Sequence, residues 1–455
     1  MVGETKASLR VEEMPVGVDR VTIFMLVGVF SLALLLRLAA IALVGPSPNI
    51  IGYSESGLTA ANLAQGRGYT YDFYGLRQAT PLQAFMPPLF VGFVYLCLKF
   101  GTNPPLAFAL TQALLSAATC LAIYWLALEL SRNRTVALLA AVGAACYPVL
   151  ILMVTVPASL TLHLAILAWA MAFTAPLARR PSVGYALAAG VLWGLIGLGR
   201  PAVLAFLPVV LVWLALNRRV NQRWLRDGAL VAIAAAVVVL PWMIRNTMVL
   251  GRAASISSNG GATFWNGNNP FTTGSGQDVY TAKVNEFLGR PYDSKLPAVM
   301  QWQPYPLPPE IQNEVGSIPE SELDRRLFQA GLDYIRQQPR AWLELTAKKL
   351  AAFWWFRENL GAVYEGNWTR FYKPLYVLTL VLTVAGLALS FKQWRRYCLL
   401  YLVVGFTAST YVAFNVLTRF RWEIEPFLLI FAALAVTTFA SRLTARFHAA
   451  RQPIS

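Results

Sequence analysis

The sequence predicts an all-α, polytopic membrane bundle whose working face is turned away from the cytoplasm, and three observations predict it. Hydrophobic residues make up 57% of the 455 positions and charged residues only 13%. Mean hydropathy is +0.51. The apolar residues lie in long stretches separated by short basic runs. A soluble domain needs about a quarter charged residues to coat its surface, so this chain is composed for an apolar solvent. Backbone groups in lipid must be satisfied within each segment, which makes the stretches helices.

The formal charge of +16 raises nucleic acid as a partner. The basic residues form no aromatic-interleaved face, and their placement between apolar stretches fits topology signals and anionic lipid head groups instead. Cys97, Cys120, Cys146 and Cys398 all sit in apolar segments without C-x-x-C spacing. They read as packed thiols, not as a disulfide framework or a zinc site.

The first apolar stretch, 21–44, is too long for a signal-peptide core, has no small-residue cleavage site and follows a mixed-sign leader. It is expected to remain as a helix. Further spans are expected near 104–130, 136–154, 158–177, 184–199, 201–217, 228–245, 371–391, 397–414 and 426–441, giving about ten. Basic loops orient them. Arg132/Arg134, Arg179/Arg180, Arg218/Arg219/Arg223/Arg226, Lys392/Arg395/Arg396 and the tail Arg442/Arg446/Arg451 are expected in the cytoplasm, with both termini. Residues 87–101 are apolar but short, and counting them as a span would invert that orientation. They are expected to form an interfacial or re-entrant helix.

Three units follow: an N-terminal transmembrane module, 1–245, with a first outer loop at 46–103; an outer region, 246–370; and C-terminal helices with a basic tail, 371–455. Within the outer region, Pro304, Pro306, Pro308 and Pro309 predict an extended stretch. Ser317 and Glu320 have capping-box spacing ahead of a helix with Leu327, Phe328, Gly331, Leu332 and Ile335 on one face, ended by Pro339. A second helix carries Lys348, Lys349, Trp354 and Trp355, the composition of a helix lying at a membrane interface.

Between Asp19 and Asp227 the acidic residues are Glu55, Asp72 and Glu129. Glu129 sits beside Arg132 and Arg134, where a surface role suffices. Glu55 opens a short helical pattern that stops at Gly66-Arg67-Gly68-Tyr69. A carboxylate there is positioned either as a general base at the membrane surface or as a complement to the helix N-terminus, worth roughly 0.3–1 kcal/mol.

Several strings, in order, resemble the GT-C superfamily of polytopic glycosyltransferases, most closely the branch of protein O-mannosyltransferases and bacterial lipid A aminoarabinose transferases. They are Ala60-Ala61-Asn62-Leu63-Ala64-Gln65-Gly66-Arg67-Gly68-Tyr69 and Ala84-Phe85-Met86-Pro87-Pro88-Leu89; then Arg245-Asn246, Ser258-Asn259-Gly260-Gly261 and Phe264-Trp265-Asn266-Gly267-Asn268-Asn269-Pro270; and Arg419-Phe420-Arg421-Trp422-Glu423-Ile424-Glu425-Pro426. With the span order they cover nearly the whole chain.

The resemblance implies an inverting membrane glycosyltransferase of the bacterial inner membrane. It would move a sugar from a polyprenyl-phosphate donor to a lipid, glycan or protein acceptor in the cell envelope. Such chemistry needs a base for the acceptor hydroxyl, cations for the departing phosphate and a groove for the lipid. Glu55 is the candidate base and Asp72 the alternative. Arg200, Arg245, Lys348, Lys349, Arg419 and Arg421 are the candidate phosphate ligands. Asn259, Trp265, Asn268, Asn269, Trp354 and Trp355 are candidates for the sugar or the lipid groove, Trp354 and Trp355 reading equally as interfacial anchors.

The chain departs from the family where members carry Asp near the position of Gly52, and again at Pro157-Ala158-Ser159-Leu160, where no carboxylate stands. No D-x-D pair occurs in the first outer loop, so no divalent metal or other cofactor is expected. A non-catalytic protein that binds or translocates lipid-linked glycans is the alternative. An ion-coupled transporter is disfavoured by the lack of acidic residues at span centres, His163 alone making no proton relay.

Overall fold

In the computed structural model the described residues are 19–52, 54–72, 81–217, 223–270, 272, 307–312, 314, 316–356 and 368–450. The charged leader, Arg218/Arg219, Pro304, Pro306 and Arg451 lie outside them. The helices are α1 (Arg20–Val44), α2 (Glu55–Ala64), α3 (Pro88–Phe100), α4 (Pro104–Ser131), α5 (Arg134–Cys146), α6 (Pro148–Leu152), α7 (Leu160–Thr174), α8 (Val183–Gly199), α9 (Leu207–Asn217), α10 (Arg223–Leu250) and α11 (Gly260–Gly267). They continue as α12 (Pro309–Gln312), α13 (Glu320–Gln337), α14 (Pro339–Trp354), α15 (Trp368–Ser390), α16 (Trp394–Ala413) and α17 (Glu425–Ala450). One isolated antiparallel bridge joins Tyr71 to Leu82.

Six helical stretches among the described residues are long and apolar enough to cross a membrane: 20–44, 104–131, 160–178, 223–250, 370–413 and 425–447. A seventh results if α5 and the segment Pro148–Thr155, bent by 51°, make one broken span. The stretch 370–413 contains two of the expected spans in α15 and α16. The apolar helices at 183–199 and 201–217 are shorter, so the expected count of ten is not reached by length alone. Large apolar side chains face outward, among them Phe24 on α1, Val237 and Met248 on α10 and Phe371 on α15. Such a surface requires lipid, and the chain is an integral membrane protein. The 13-residue α3 rises only about 20 Å, too little to span, as expected from its length.

Local chemistry sets the helix ends. Asp19 caps α1 by accepting from the Thr22 N–H at 2.8 Å, and Asn103 caps α4 ahead of two prolines. Small residues let helices meet closely: a Cβ on Gly190 or Gly194 of α8 would overlap the α10 backbone at Val231 or Ala235. The break after α5 has a specific remedy. Pro148 has no N–H to give the Ala144 carbonyl. The buried Arg37 of α1 donates instead to Ala144 O at 3.4 Å and Ala145 O at 3.0 Å, and to Ser116 Oγ at 2.7 Å.

The described parts of the two long segments 46–103 and 246–370 pack together. Tyr71, Leu82 and Phe85 of the first share a core with Ala262, Trp265, Leu307, Ile311, Leu323 and Leu327 of the second. The expected capping box does not form: α13 begins at Glu320 with Pro319 as its N-cap, and Ser317 Oγ donates to the Glu314 carbonyl. Glu320 reaches away from its own helix, accepting from Gln83 N at 2.6 Å, Ala84 N at 2.9 Å and the Ser258 hydroxyl. Three orphan donors on two distant segments outweigh one orphan at a helix start. The buried face of α13 is Leu323, Leu327, Gly331 and Tyr334, so the expected face is rotated toward its N-terminus. Glu320→Ala is expected to lower stability by about 2–3 kcal/mol. Limited proteolysis in micelles, followed at the segments around 81–86 and 255–260, should show faster cleavage in the variant.

Candidate functional site

The candidate site comprises α2 and the 3-10 turn Thr418–Glu423 that precedes α17, linked by the charge that Arg419 exerts on Glu55. Ser54 caps α2 by accepting from the Gly57 N–H at 3.3 Å, which places Glu55 in the first turn. Glu55 is half-buried, and its partial loss of solvent raises its pKa above the ordinary carboxylate value, opposed by the charge of Arg419. Arg419 lies 5.9 Å from the Phe420 ring, and Phe420 stacks on Tyr411 at 4.4 Å. The Tyr411 hydroxyl donates to Glu423 Oε2 at 2.7 Å, and Glu423 is ion-paired with Arg200, which also lies 5.6 Å over the Tyr411 ring. Burial raises the Glu423 pKa, opposed by Arg200. His163 of α7 packs directly on Gly199, the residue before Arg200. Tyr411, Glu423 and Arg200 form a connected polar cluster, and Arg419, one residue before Phe420, acts on Glu55 through its charge.

The remaining cations divide by what holds them. Arg421 is fully buried: it donates to Glu425 Oε1 at 2.9 Å, to Tyr372 Oη at 3.1 Å and to the Trp355 carbonyl at 3.2 Å, and lies 3.9 Å over Tyr376. Lys349 is buried as well, donating to Asn268 Oδ1 at 3.1 Å and Phe414 O at 3.0 Å. Arg245 lies 5.2 Å from Tyr69 and 4.9 Å from Trp242 and donates to the Gln83 carbonyl. Lys348 is exposed on α14, and Asp72 is exposed beside the Tyr71–Leu82 bridge.

The polar and aromatic candidates are mostly framework. Asn268 is buried, donates to Phe264 O and Ala413 O, and accepts from Trp342 Nε1 and Lys349. Asn269 Nδ2 donates to Trp265 O at 2.8 Å, and Trp265 sits in the core between the two outer segments. Asn259 accepts from Ser257 Oγ at 2.9 Å. Trp354 packs with Ala352, Phe353 and Ile424, and Trp355 is 55% exposed, the place of an interfacial anchor. Of the candidates, Arg419 acts on Glu55 through its charge and Arg200 pairs with Glu423 on the same turn, while the others lie elsewhere.

Glu423, Tyr411, Glu320 and Asp324 were not singled out from the sequence. Glu423 had a signal: an acidic residue entering an apolar span beside two arginines. Glu320 was hidden by its capping-box spacing. Asp324, accepting from the Gly261 N–H at 2.6 Å, is pushed up to about 6 by burial. Helix periodicity alone carries no sign of that contact.

This helical arrangement matches known membrane proteins in shape. An oligosaccharyltransferase of Archaeoglobus fulgidus, in its apo form, aligns with TM-score 0.53 and 14% identity, covering 95% of this chain and 52% of that one. The archaeal oligosaccharyltransferase AglB of the same organism, in complex with an inhibitory peptide and a dolichol-phosphate, aligns with TM-score 0.52 and 14% identity, over 96% of this chain and 53% of that one. ArnT from Cupriavidus metallidurans bound to undecaprenyl phosphate matches more loosely, with TM-score 0.40 and 14% identity over 90% of this chain and 77% of that one, too loose to inform the fold. No family profile and no curated protein sequence matches. The likeness shows the fold: the helices are arranged as in the Archaeoglobus fulgidus oligosaccharyltransferases. The chain spans about half the length of the oligosaccharyltransferases it matches.

Two outcomes test the framework assignments. Burial depresses the Lys349 pKa to about 7 from 10.5. Between those values the unfolded chain binds a proton that the folded chain does not, so this group lowers stability as pH falls from 10.5, and below about 7 its cost is complete. Wild-type Tm in detergent should therefore gain more than that of Lys349→Met between pH 7 and 10. Arg421→Met, which strands the buried Glu425, should cost about 3–5 kcal/mol in denaturant titration, far more than Arg419→Met.

Proposed function

We propose that this chain is a membrane glycosyltransferase that moves a sugar, with inversion, from a polyprenyl-phosphate donor to an extracytoplasmic acceptor. The observation that carries the reading is the half-buried Glu55 in the first turn of α2, within the field of the Arg419 guanidinium, in a fold shared with oligosaccharyltransferases. In this reading Glu55 takes the proton of the acceptor hydroxyl as its oxygen attacks the anomeric carbon. The bond from that carbon to the phosphate oxygen breaks, and Arg419 neutralises the departing lipid phosphate. Arg200 and Glu423 hold the far end of the turn Thr418–Glu423 in place, and Tyr411 stacks on Phe420. The raised pKa of Glu55 suits a base, because a carboxylate nearer the working pH has more affinity for the proton. The dolichol-phosphate in the archaeal complex supports the lipid-phosphate class of donor. The basic runs support an orientation with both termini in the cytoplasm and the site outside. No metal is assigned a role.

Membranes containing the protein, supplied with radiolabelled polyprenyl-phosphate sugars and a panel of lipid, glycan and protein acceptors, should yield labelled product. Glu55→Gln should reduce turnover about 10²–10⁴-fold. Unchanged turnover in that variant removes Glu55 as the base, and donor binding with no product from any acceptor favours a non-catalytic glycan-lipid binder. Arg419→Gln withdraws the charge that lowers the Glu55 pKa, so the acid limb of the pH–rate profile should move to higher pH.

A further inference from the structure

The end of the bundle opposite Glu55 carries a second concentration of charge. α4 starts beside α3 in the outer layer and runs 28 residues, about 42 Å, before ending at Arg132. Arg179 and Arg180 follow α7 at the same end, and α15, whose Tyr372 meets Arg421 near the outer turn, delivers Phe391, Lys392, Trp394, Arg395 and Arg396 there. Three guanidiniums share the buried Glu129: Arg132 at 2.7 Å, Arg180 at 3.4 Å and Arg179 at 3.6 Å. Burial lowers the Arg179 pKa, and the like charges of Arg132, Arg396 and Arg180 push it the same way. One carboxylate among four guanidiniums leaves a positive field unneutralised.

Beside this cluster is an open groove lined by the consecutive residues Lys392, Gln393, Trp394, Arg395 and Arg396. Its surroundings select the occupant. Phe391 is 73% and Trp394 49% exposed, and Val384 and Leu387 continue the outward apolar surface along α15. A soluble anion would use the cations and leave that apolar wall unused. A phospholipid uses both.

We propose that this corner binds an anionic phospholipid, its phosphate held by Lys392, Arg395 and Arg396 with Arg179 and Arg180 behind them, and its acyl chains lying on Phe391 and the outer face of α15. Arginine's planar donor fork matches the phosphate oxygens, and the exposed Trp394 suits the headgroup level of a bilayer. The proposal is independent of the reaction at the other end of the bundle.

Native mass spectrometry of the protein released from a neutral maltoside detergent tests it, with phosphatidylglycerol and phosphatidylcholine of identical acyl chains as probes. Phosphatidylglycerol should bind at least tenfold more tightly. The double variant Arg395→Gln/Arg396→Gln should weaken it about thirtyfold and leave phosphatidylcholine unchanged. Equal affinity for the two lipids overturns the proposal, as does wild-type retention of phosphatidylglycerol by a folded double variant. Displacement by equimolar inorganic phosphate also overturns it, since that marks a soluble-anion site. Should the double variant fail to fold, the wild type decides: a preference that collapses at 1 M salt, where screening reaches within about 3 Å, supports the site, and a salt-insensitive one overturns it.

Discussion

Arg421 holds a full charge where no surface reaches solvent, and much of the outer architecture is arranged around satisfying it. Its guanidinium meets Glu425 at the start of α17, Tyr372 and Tyr376 on α15, and the carbonyls of Phe353 and Trp355 at the end of α14. The Tyr372 hydroxyl donates to Glu425 at 2.5 Å and accepts from both Arg421 and Trp422 Nε1. A buried ion pair stabilises little against an apolar replacement, yet losing one partner is costly because the other remains desolvated. Such a network therefore specifies geometry more than it adds stability. It pins the turn Thr418–Glu423 at its centre, with Arg419 and Glu423 two residues to either side, and Glu423 is thereby set against Arg200.

The same logic recurs at smaller scale across the outer layer. Lys349 and Trp342 of α14 converge on Asn268 Oδ1, while Asn268 Nδ2 grips the end of α16. Glu320 gathers donors from residues 83, 84 and 258. These knots tie sequence-distant strings into one platform over the bundle. They also account for two of the candidate cations: Arg421 and Lys349 have their donors spent on the framework.

Membrane embedding was legible because it depends on a one-dimensional quantity, the length of uninterrupted apolar sequence, and so were α1, α4, α10 and α17. The shortness of α3 was likewise readable from 87–101. The site was legible in part. Glu55 stood out because acidic residues are scarce before Asp227, and the string 419–426 because its charges open an apolar span. The assignment of Arg421, Lys349 and Asn268 to phosphate or sugar came from residue type alone. Residue type does not say whether a donor points at a groove or is spent on the carbonyl of another helix.

By itself, then, the amino-acid sequence determined the solvent, the helical class and the inventory of charges, because hydropathy and helix length are local properties summed along the chain. Only the tertiary structure decided which charges face one another. It turned Glu320 from a helix cap into a clasp between two loops, buried Arg421 against Glu425, and set Glu423 against Arg200. Each of those outcomes follows from the cost of desolvating a charge, and that cost is set by neighbours that lie tens to hundreds of residues away.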